Sequence, residues 1–297
     1  MPASPPLPPG SATVLDPAPL LAWYATAARD LPWRAPGAGG WAVLVSEVML
    51  QQTPVARVLP VYQGWLRQWP TPVACAAARP ADLVRQWGRL GYPRRALRLR
   101  EAAIACVERH DGAVPADPAA LRALPGVGIY TAAAVAAFAY GERVAVVDTN
   151  VKRVVARAIR ALDDPRPVTA ADHRAVAAVL PDADAPRWSA AVMELGATVC
   201  TARAPHCARC PIAAGCRWLA AGSPSWNGPA PKAQGYAGTD RQVRGRLLEL
   251  LRAADHAVKT DELAAAWDEP VQRERALASL IADGLAVVVP DGYALPT

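Results

Sequence analysis

Four cysteines, Cys200, Cys207, Cys210 and Cys216, fall within seventeen residues near the end of a long helical stretch. No other feature constrains the fold as much. Clustering of this kind points to a metal site rather than to a set of disulfides. Four thiolates can hold a tetrahedral zinc, or an iron–sulfur cubane with one thiolate on each iron. Zinc ligands usually come as two close pairs. Here only Cys207 and Cys210 are close, so the spacing leans towards a cluster and leaves zinc open. Arg203, His206 and Arg209 lie between the ligands and make the loop basic. Cys75 and Cys106 stand alone in alanine-rich sequence and read as small core residues.

From 17 to 218 apolar residues recur at helical spacing, broken by short Gly/Pro turns, with no convincing alternating strand. The pattern predicts helices over 17–29, 41–52, 54–69, 82–87, 94–110, 118–124, 130–140, 151–162, 172–180 and 185–198. Residues 222–239 are rich in Gly, Pro, Ser and Ala and read as a linker. Beyond it, helices are expected over 241–254, 260–267 and 271–283, then a hairpin within 285–295, which together make a winged-helix-like pattern. The chain is therefore read as mainly α with a small C-terminal α+β unit. Its expected parts are a disordered Pro-rich tail (1–14), a helical region (15–221), the linker and a terminal domain (240–297).

A formal charge of +6 suits an anionic partner, and nucleic acid and an anionic membrane surface both satisfy it. The longest apolar run, 132–139, is far too short to span a bilayer. The N-terminus lacks the basic start and apolar core of a signal peptide. A cytoplasmic protein without a membrane partner is expected.

Two strings carry more. Leu124-Pro125-Gly126-Val127-Gly128 lies between two predicted helices as a tight hairpin. Glycine there permits a left-handed backbone and close approach by another chain, and the outward amides suit a phosphate. Asp148 follows twenty residues after Gly128, placed to cap the next helix. The second string is Ser46-Glu47-Val48-Met49-Leu50-Gln51-Gln52-Thr53, with Glu47 on an otherwise apolar helix. Such a carboxyl can be an acid–base group or simply a solvated or ion-paired residue.

Taken together, the hairpin, Asp148 and the cysteine spacing resemble the helix–hairpin–helix DNA glycosylase superfamily, in its iron–sulfur branch. The likeness runs from about Leu31 to Cys216. It implies two helical subdomains, a six-helix one at about 42–147 and a cluster-bearing one from 15–41 plus 148–221, and it makes the metal a 4Fe–4S cluster. The 46–53 string is similar to that of MutY-type adenine glycosylases. The endonuclease III branch has a lysine two residues after the second hairpin glycine, as a Schiff-base nucleophile; here Tyr130 stands there.

The resemblance implies a monofunctional enzyme that removes adenine mispaired with 8-oxoguanine or guanine from double-stranded DNA, acting as a monomer. A bacterial-type cytoplasmic protein would then associate with the nucleoid through DNA. Glu47 would protonate adenine and activate water, and Asp148 would stabilise the cationic sugar, the two-carboxylate logic of glycoside hydrolysis. Tyr130 and Asn150 would support them. Gln52 and Tyr92 would wedge into the duplex, with Thr53 and Leu90 near the opposite base. Gly126, Gly128 and Lys152 would meet phosphate, and Trp33 and Arg34 would wall the adenine pocket.

Three departures stand out. Pro93 replaces a second tyrosine after Tyr92, and Ser189-Ala190 replaces a polar pair before Met193-Glu194-Leu195-Gly196. The sixty residues after the linker are also too few for the Nudix-like domain with which many MutY-type enzymes read 8-oxoguanine. The alternatives are an endonuclease III-like glycosylase/lyase on damaged pyrimidines, disfavoured by Tyr130 and Glu47, and a non-catalytic DNA-binding cluster protein.

Overall fold

Proline, small polar caps and glycine set the helix boundaries in the computed structural model, which describes residues 15–229 and 235–297. The expected tail, 1–14, lies outside the described residues, as does part of the expected linker. The helices are α1 (Pro17–Ala27), α2 (Gly40–Leu50), α3 (Val55–Gln68), α4 (Pro72–Ala77), α5 (Pro80–Trp87), α6 (Arg94–Arg109), α7 (Pro118–Arg122), α8 (Ile129–Tyr140), α9 (Thr149–Arg160), α10 (Ala170–Ala177), α11 (Ala185–Thr198), α12 (Arg217–Ala220), α13 (Asp240–Ala253), α14 (Thr260–Ala266) and α15 (Pro270–Ala282). A hairpin of β1 (Val287–Val289) and β2 (Gly292–Ala294) closes the chain. The mainly helical reading and the terminal strand pair are both present. Two short helices, α4 and α12 of six and four residues, are absent from the sequence pattern. α4 forms because Thr71 caps it, accepting the Ala74 N–H at 3.2 Å, with Pro72 already in helical geometry at its first position.

The chain divides into two compact units. The first takes its described residues from Met1–Val43, Ala116–Leu121 and Gly128–Lys232. Its core forms where α9 presents Val151, Val154, Val155 and Ile159 to Trp188, Val192 and Leu195 of α11, with Leu20 of α1 alongside. Trp188 is fully buried, and its truncation would cost about 3–5 kcal/mol. Three-ten turns over Cys207–Arg209 and Ala213–Gly215 shape the cysteine loop.

The second unit takes Leu44–Pro115, Arg122–Val127 and Ala233–Thr297. Trp65 packs edge-on against Trp69 at 4.8 Å and Trp87 at 5.9 Å. α13 buries Val243, Leu247, Leu248 and Leu251 with Leu280 of α15 and Val84 of α5. In the antiparallel hairpin Val287 lies opposite Ala294, and Val289 opposite Gly292. Val258 and Tyr293 bridge in both directions at 2.8 and 2.9 Å. Gly292 has φ 144°, and a Cβ there would lie 2.3 Å from the Val258 carbonyl oxygen, so no other residue fits. Three helices and this hairpin are the winged-helix-like arrangement. Among the described residues no helix is long and apolar enough to cross a membrane.

Candidate functional site

α2 is apolar almost all round, and Trp41, Leu44, Val45, Val48 and Met49 on it are buried. Glu47 shares that burial at 5 % exposure, so a carboxyl sits inside an apolar helical segment. Just past the helix the backbone turns at Gln52, with φ 56°, and a second left-handed residue, Tyr92, has φ 48°. Neither is glycine, so each conformation costs about 1 kcal/mol or more and must be enforced by its surroundings. The Tyr92 hydroxyl donates to Gln52 Oε1 at 2.9 Å, which brings the two expected wedge residues together.

Arg95, which no motif singles out, enforces the geometry. Its Nη1 donates to the carbonyls of Val48 (2.8 Å) and Gln51 (2.6 Å), and its Nη2 to that of Gly91 (3.1 Å). The guanidinium also lies 5.3 Å from the Tyr92 ring centroid. Thr53 and Leu90 are likewise together, the Thr53 hydroxyl donating to the Leu90 carbonyl at 3.1 Å. Both are buried, so the Leu90 side chain is turned inward.

The hairpin glycines differ. Gly126 has φ 77° and a Cβ there would press on Arg98 Cβ at 3.0 Å, so glycine is required. Gly128 has φ −90°, with nothing within 4 Å of a Cβ. It opens α8 beside Ile129, which is 58 % exposed.

In the first unit Asp148 caps α9. Its Oδ1 accepts the Val151 N–H at 2.7 Å, and its Oδ2 accepts Asn150 Nδ2 at 2.7 Å. Burial raises the half-buried Asp148 carboxyl above the usual carboxylate range, an effect these hydrogen bonds and the nearby Arg153 only partly offset. Arg153 continues the network, donating to Asn150 Oδ1 (2.8 Å), the Gly196 carbonyl (2.6 Å) and the Cys200 carbonyl (2.7 Å). Gly196 is needed because a Cβ there would lie 2.7 Å from Asn150 Cβ. Tyr130 packs its ring against Ala134, Ala137 and Val146.

The four clustered thiols line one cavity of about 20 Å³ together with Val154, Ile212 and Leu219. Arg157 is buried beside it. It donates to Cys200 Sγ at 3.3 Å and to the Thr201 carbonyl at 2.8 Å, and lies 4.6 Å from the Trp218 ring centroid. Burial pushes the Cys210 thiol up to about 11, while the Ile212 N–H pulls the other way. The four sulfurs, the backbone donors and Arg157 suit a thiolate-bound group. Among the described residues no three His, Cys, Asp or Glu side chains are arranged to hold a metal ion. Arg203, His206 and Arg209 on the same loop are exposed.

Lys152 requires a correction. It is 3 % exposed, and its amine donates inward to the carbonyls of Arg166 (2.6 Å) and Pro167 (3.2 Å), with Asp164 at 3.6 Å. It holds the 164–167 turn and presents no charge to a phosphate. Trp33 is buried at 7 % exposure. Arg34 and Arg29 both bind the fully buried Glu194, at 2.9 and 2.6 Å. Burial works to raise Glu194, but the two guanidinium groups prevail and hold its carboxyl below its usual range. Ser189 is fully buried on α11, and its hydroxyl has no hydrogen-bond partner.

The chain matches the family model described as HhH-GPD superfamily base excision DNA repair protein over residues 45–175. It is 56% identical over 281 residues to the adenine DNA glycosylase of Mycobacterium tuberculosis, a match covering 93% of this chain and 92% of that protein. To the protein of the same name from Mycolicibacterium smegmatis it is 54% identical, covering 94% of each. Among solved structures, that of a thermostable thymine-DNA glycosylase superposes with a TM-score of 0.64 at 24% identity, covering 71% of this chain and 97% of that one. At that identity the likeness bears on the fold alone.

Proposed function

The chain belongs to the HhH-GPD superfamily of base excision DNA repair proteins, and within it we infer an adenine DNA glycosylase whose partner is DNA. The observation that carries the assignment of roles is the burial of Glu47 on the largely apolar helix α2. An acid–base carboxyl works best shielded from bulk water, and this helix position supplies that shielding.

Adenine leaves deoxyribose poorly until its ring is protonated. Glu47 supplies that proton, the N-glycosidic bond breaks with its electron pair on the base, and an oxocarbenium-like sugar remains. The Asp148 carboxylate, oriented by Val151 and Asn150, stabilises the cation. Water then adds to the sugar and returns its proton to Glu47, leaving adenine and an intact abasic strand. Tyr130 offers no amine for an imine, and the Lys152 amine is held by carbonyl groups, which supports base removal without strand cleavage.

Gln52 and Tyr92, already joined, fill the gap left by the extruded base. Trp33 and Arg34 border the adenine, Thr53 and the Leu90 backbone lie towards the opposite base, and Gly126 with Gly128 admits a phosphate to the start of α8. Cys200, Cys207, Cys210 and Cys216 hold a 4Fe–4S cluster, which when bound ties a basic loop into a fixed shape and takes no part in bond cleavage. The base opposite adenine is 8-oxoguanine or guanine, the enzyme is a cytoplasmic monomer, and 15–221 carries the chemistry while 240–297 helps hold the DNA.

The test is a labelled duplex with adenine opposite 8-oxoguanine or guanine, scored before and after alkali. Alkali-dependent cleavage at the adenine, lost in Glu47→Gln, is expected. Nicking without alkali would show a lyase, and full activity in Glu47→Gln would remove the acid–base assignment.

A further inference from the structure

The second compact unit contains an open groove of about 990 Å³, bounded by residues 88–98 on one side and by α13 with the end of α15 on the other. Nine arginines line it against two carboxylates, Glu249 and Asp283. Both carboxylates are already engaged. Glu249 pairs with Arg89, and Asp283 accepts from Arg94 at 3.1 Å and Arg244 at 2.6 Å. Arg57, Arg241 and Arg246 add further positive charge to the lining, as does Arg98, which also pairs with Glu101 at 2.6 Å.

Two of the lining arginines are also partly desolvated. Burial pushes Arg252 down to about 10, and it lowers Arg95 as well. Gathering like charges and stripping water from some of them is unfavourable until an anion enters. The volume lies at the upper end of the range for small-molecule pockets, about 300–1,000 Å³, and the charges are spread over several elements instead of converging on one point. Both features suit a charged polymer. Tyr92 and Tyr236, also in the lining, are 51 % and 55 % exposed and offer faces on which sugars or bases can rest. Gln52 lines the groove beside Tyr92.

We propose that this groove is a second DNA contact, taking the sugar–phosphate backbone alongside Gln52 and Tyr92, with Arg98, Arg241 and Arg246 as phosphate ligands and Tyr236 as a stacking face. The proposal takes DNA as the partner from the glycosylase reading and adds the terminal unit as half of a binding site. The groove exists only because α13 packs on α5, through Val243, Leu247 and Val84.

The test compares the full-length, cluster-loaded protein with Arg241→Gln/Arg246→Gln and with Arg241→Lys/Arg246→Lys, measuring affinity for an undamaged duplex across a salt series. Loss of two phosphate contacts makes the slope of log K against log salt shallower by about two in the Gln pair. It also weakens binding on the order of tenfold or more near 0.1 M salt. The Lys pair, which keeps the charge, retains the slope. An unchanged slope in the Gln pair overturns the proposal, as does an equal loss in both pairs, which would mark a packing role such as the Arg246 contact with Trp267. Binding of a polyglutamate peptide that the Gln pair loses while its DNA slope holds would assign the groove to an acidic protein segment instead. Should the wild type fail to release adenine while the Gln pair still loses slope, the glycosylase chemistry fails and the groove stands.

Discussion

Asp148→Asn separates what Asp148 does for the fold from the part proposed for it in the reaction. In the wild type one carboxylate oxygen caps α9 through the Val151 N–H and the other accepts from Asn150 Nδ2, each at 2.7 Å. Asparagine caps as well as aspartate does, so the bond to Val151 survives. The bond to Asn150 does not, because two amide NH₂ groups then face each other. Asn150 cannot turn its amide without giving up Arg153, which donates to its Oδ1 at 2.8 Å. That loss costs about 0.5–1.5 kcal/mol.

Against it stands the charge no longer buried, since each unit by which burial raises a carboxyl pKa corresponds to about 1.4 kcal/mol. The folded pKa of Asp148 is raised, so the unfolded chain loses this proton first as pH rises. Wild-type stability therefore falls, relative to the variant, from about pH 3.9 up to the folded pKa and stays level above it. At neutral pH the two opposing terms leave Asp148→Asn within about 1 kcal/mol of the wild type, while excision of adenine drops on the order of 10²–10³-fold. Urea melts at several pH values, paired with single-turnover excision, read both quantities. A variant that loses stability relative to the wild type as pH rises would refute the argument, because it would mean that the folded state favours the ionised carboxylate.

Other substitutions probe the supports. Gly196→Ala drives a methyl group to 2.7 Å from Asn150 Cβ, so it should cost about 1–3 kcal/mol in a urea melt and slow excision together, whereas Gly128→Ala, with open space around it, should leave the melt unchanged. Arg95→Gln removes the link between the Val48, Gln51 and Gly91 carbonyls; weaker binding to mismatched duplex than to a duplex with a preformed gap is expected, and equal loss on both would show that Arg95 does not hold the wedge. Arg157→Gln leaves the Cys200 loop without its buried donor, which should lower stability by about 2–3 kcal/mol and reduce iron retained per chain after dialysis; full iron content would separate the loop from Arg157.

The helical body was legible because period and punctuation act locally: Pro17 and Gly141 do their work within a turn of where they stand. The cysteine quartet and the Glu47 string were legible as contiguous text. Arg95 was not, because its partners Val48 and Gln51 lie 47 and 44 residues away and a carbonyl leaves no mark in a sequence. The groove was hidden for the same reason, since Arg94 meets Asp283 across 189 residues. The phosphate contact expected of Lys152 rests on the family resemblance alone, and here α9 turns the amine towards the Arg166 and Pro167 carbonyls, which satisfy it in the interior.

The paired left-handed turns at Gln52 and Tyr92 carry a consequence for how the protein meets a duplex. Side chains already locked in shape have no ordering step left to perform on arrival, so in the proposed wedge role the inspection of each base step would run at the pace of collision and sliding, not at that of a loop settling. A stiff probe also reports sharply: it enters where stacking is weak and is rebuffed where stacking is sound. In the wedge role proposed for Gln52 and Tyr92, the left-handed backbone thus makes this edge of the protein a gauge pressed against DNA.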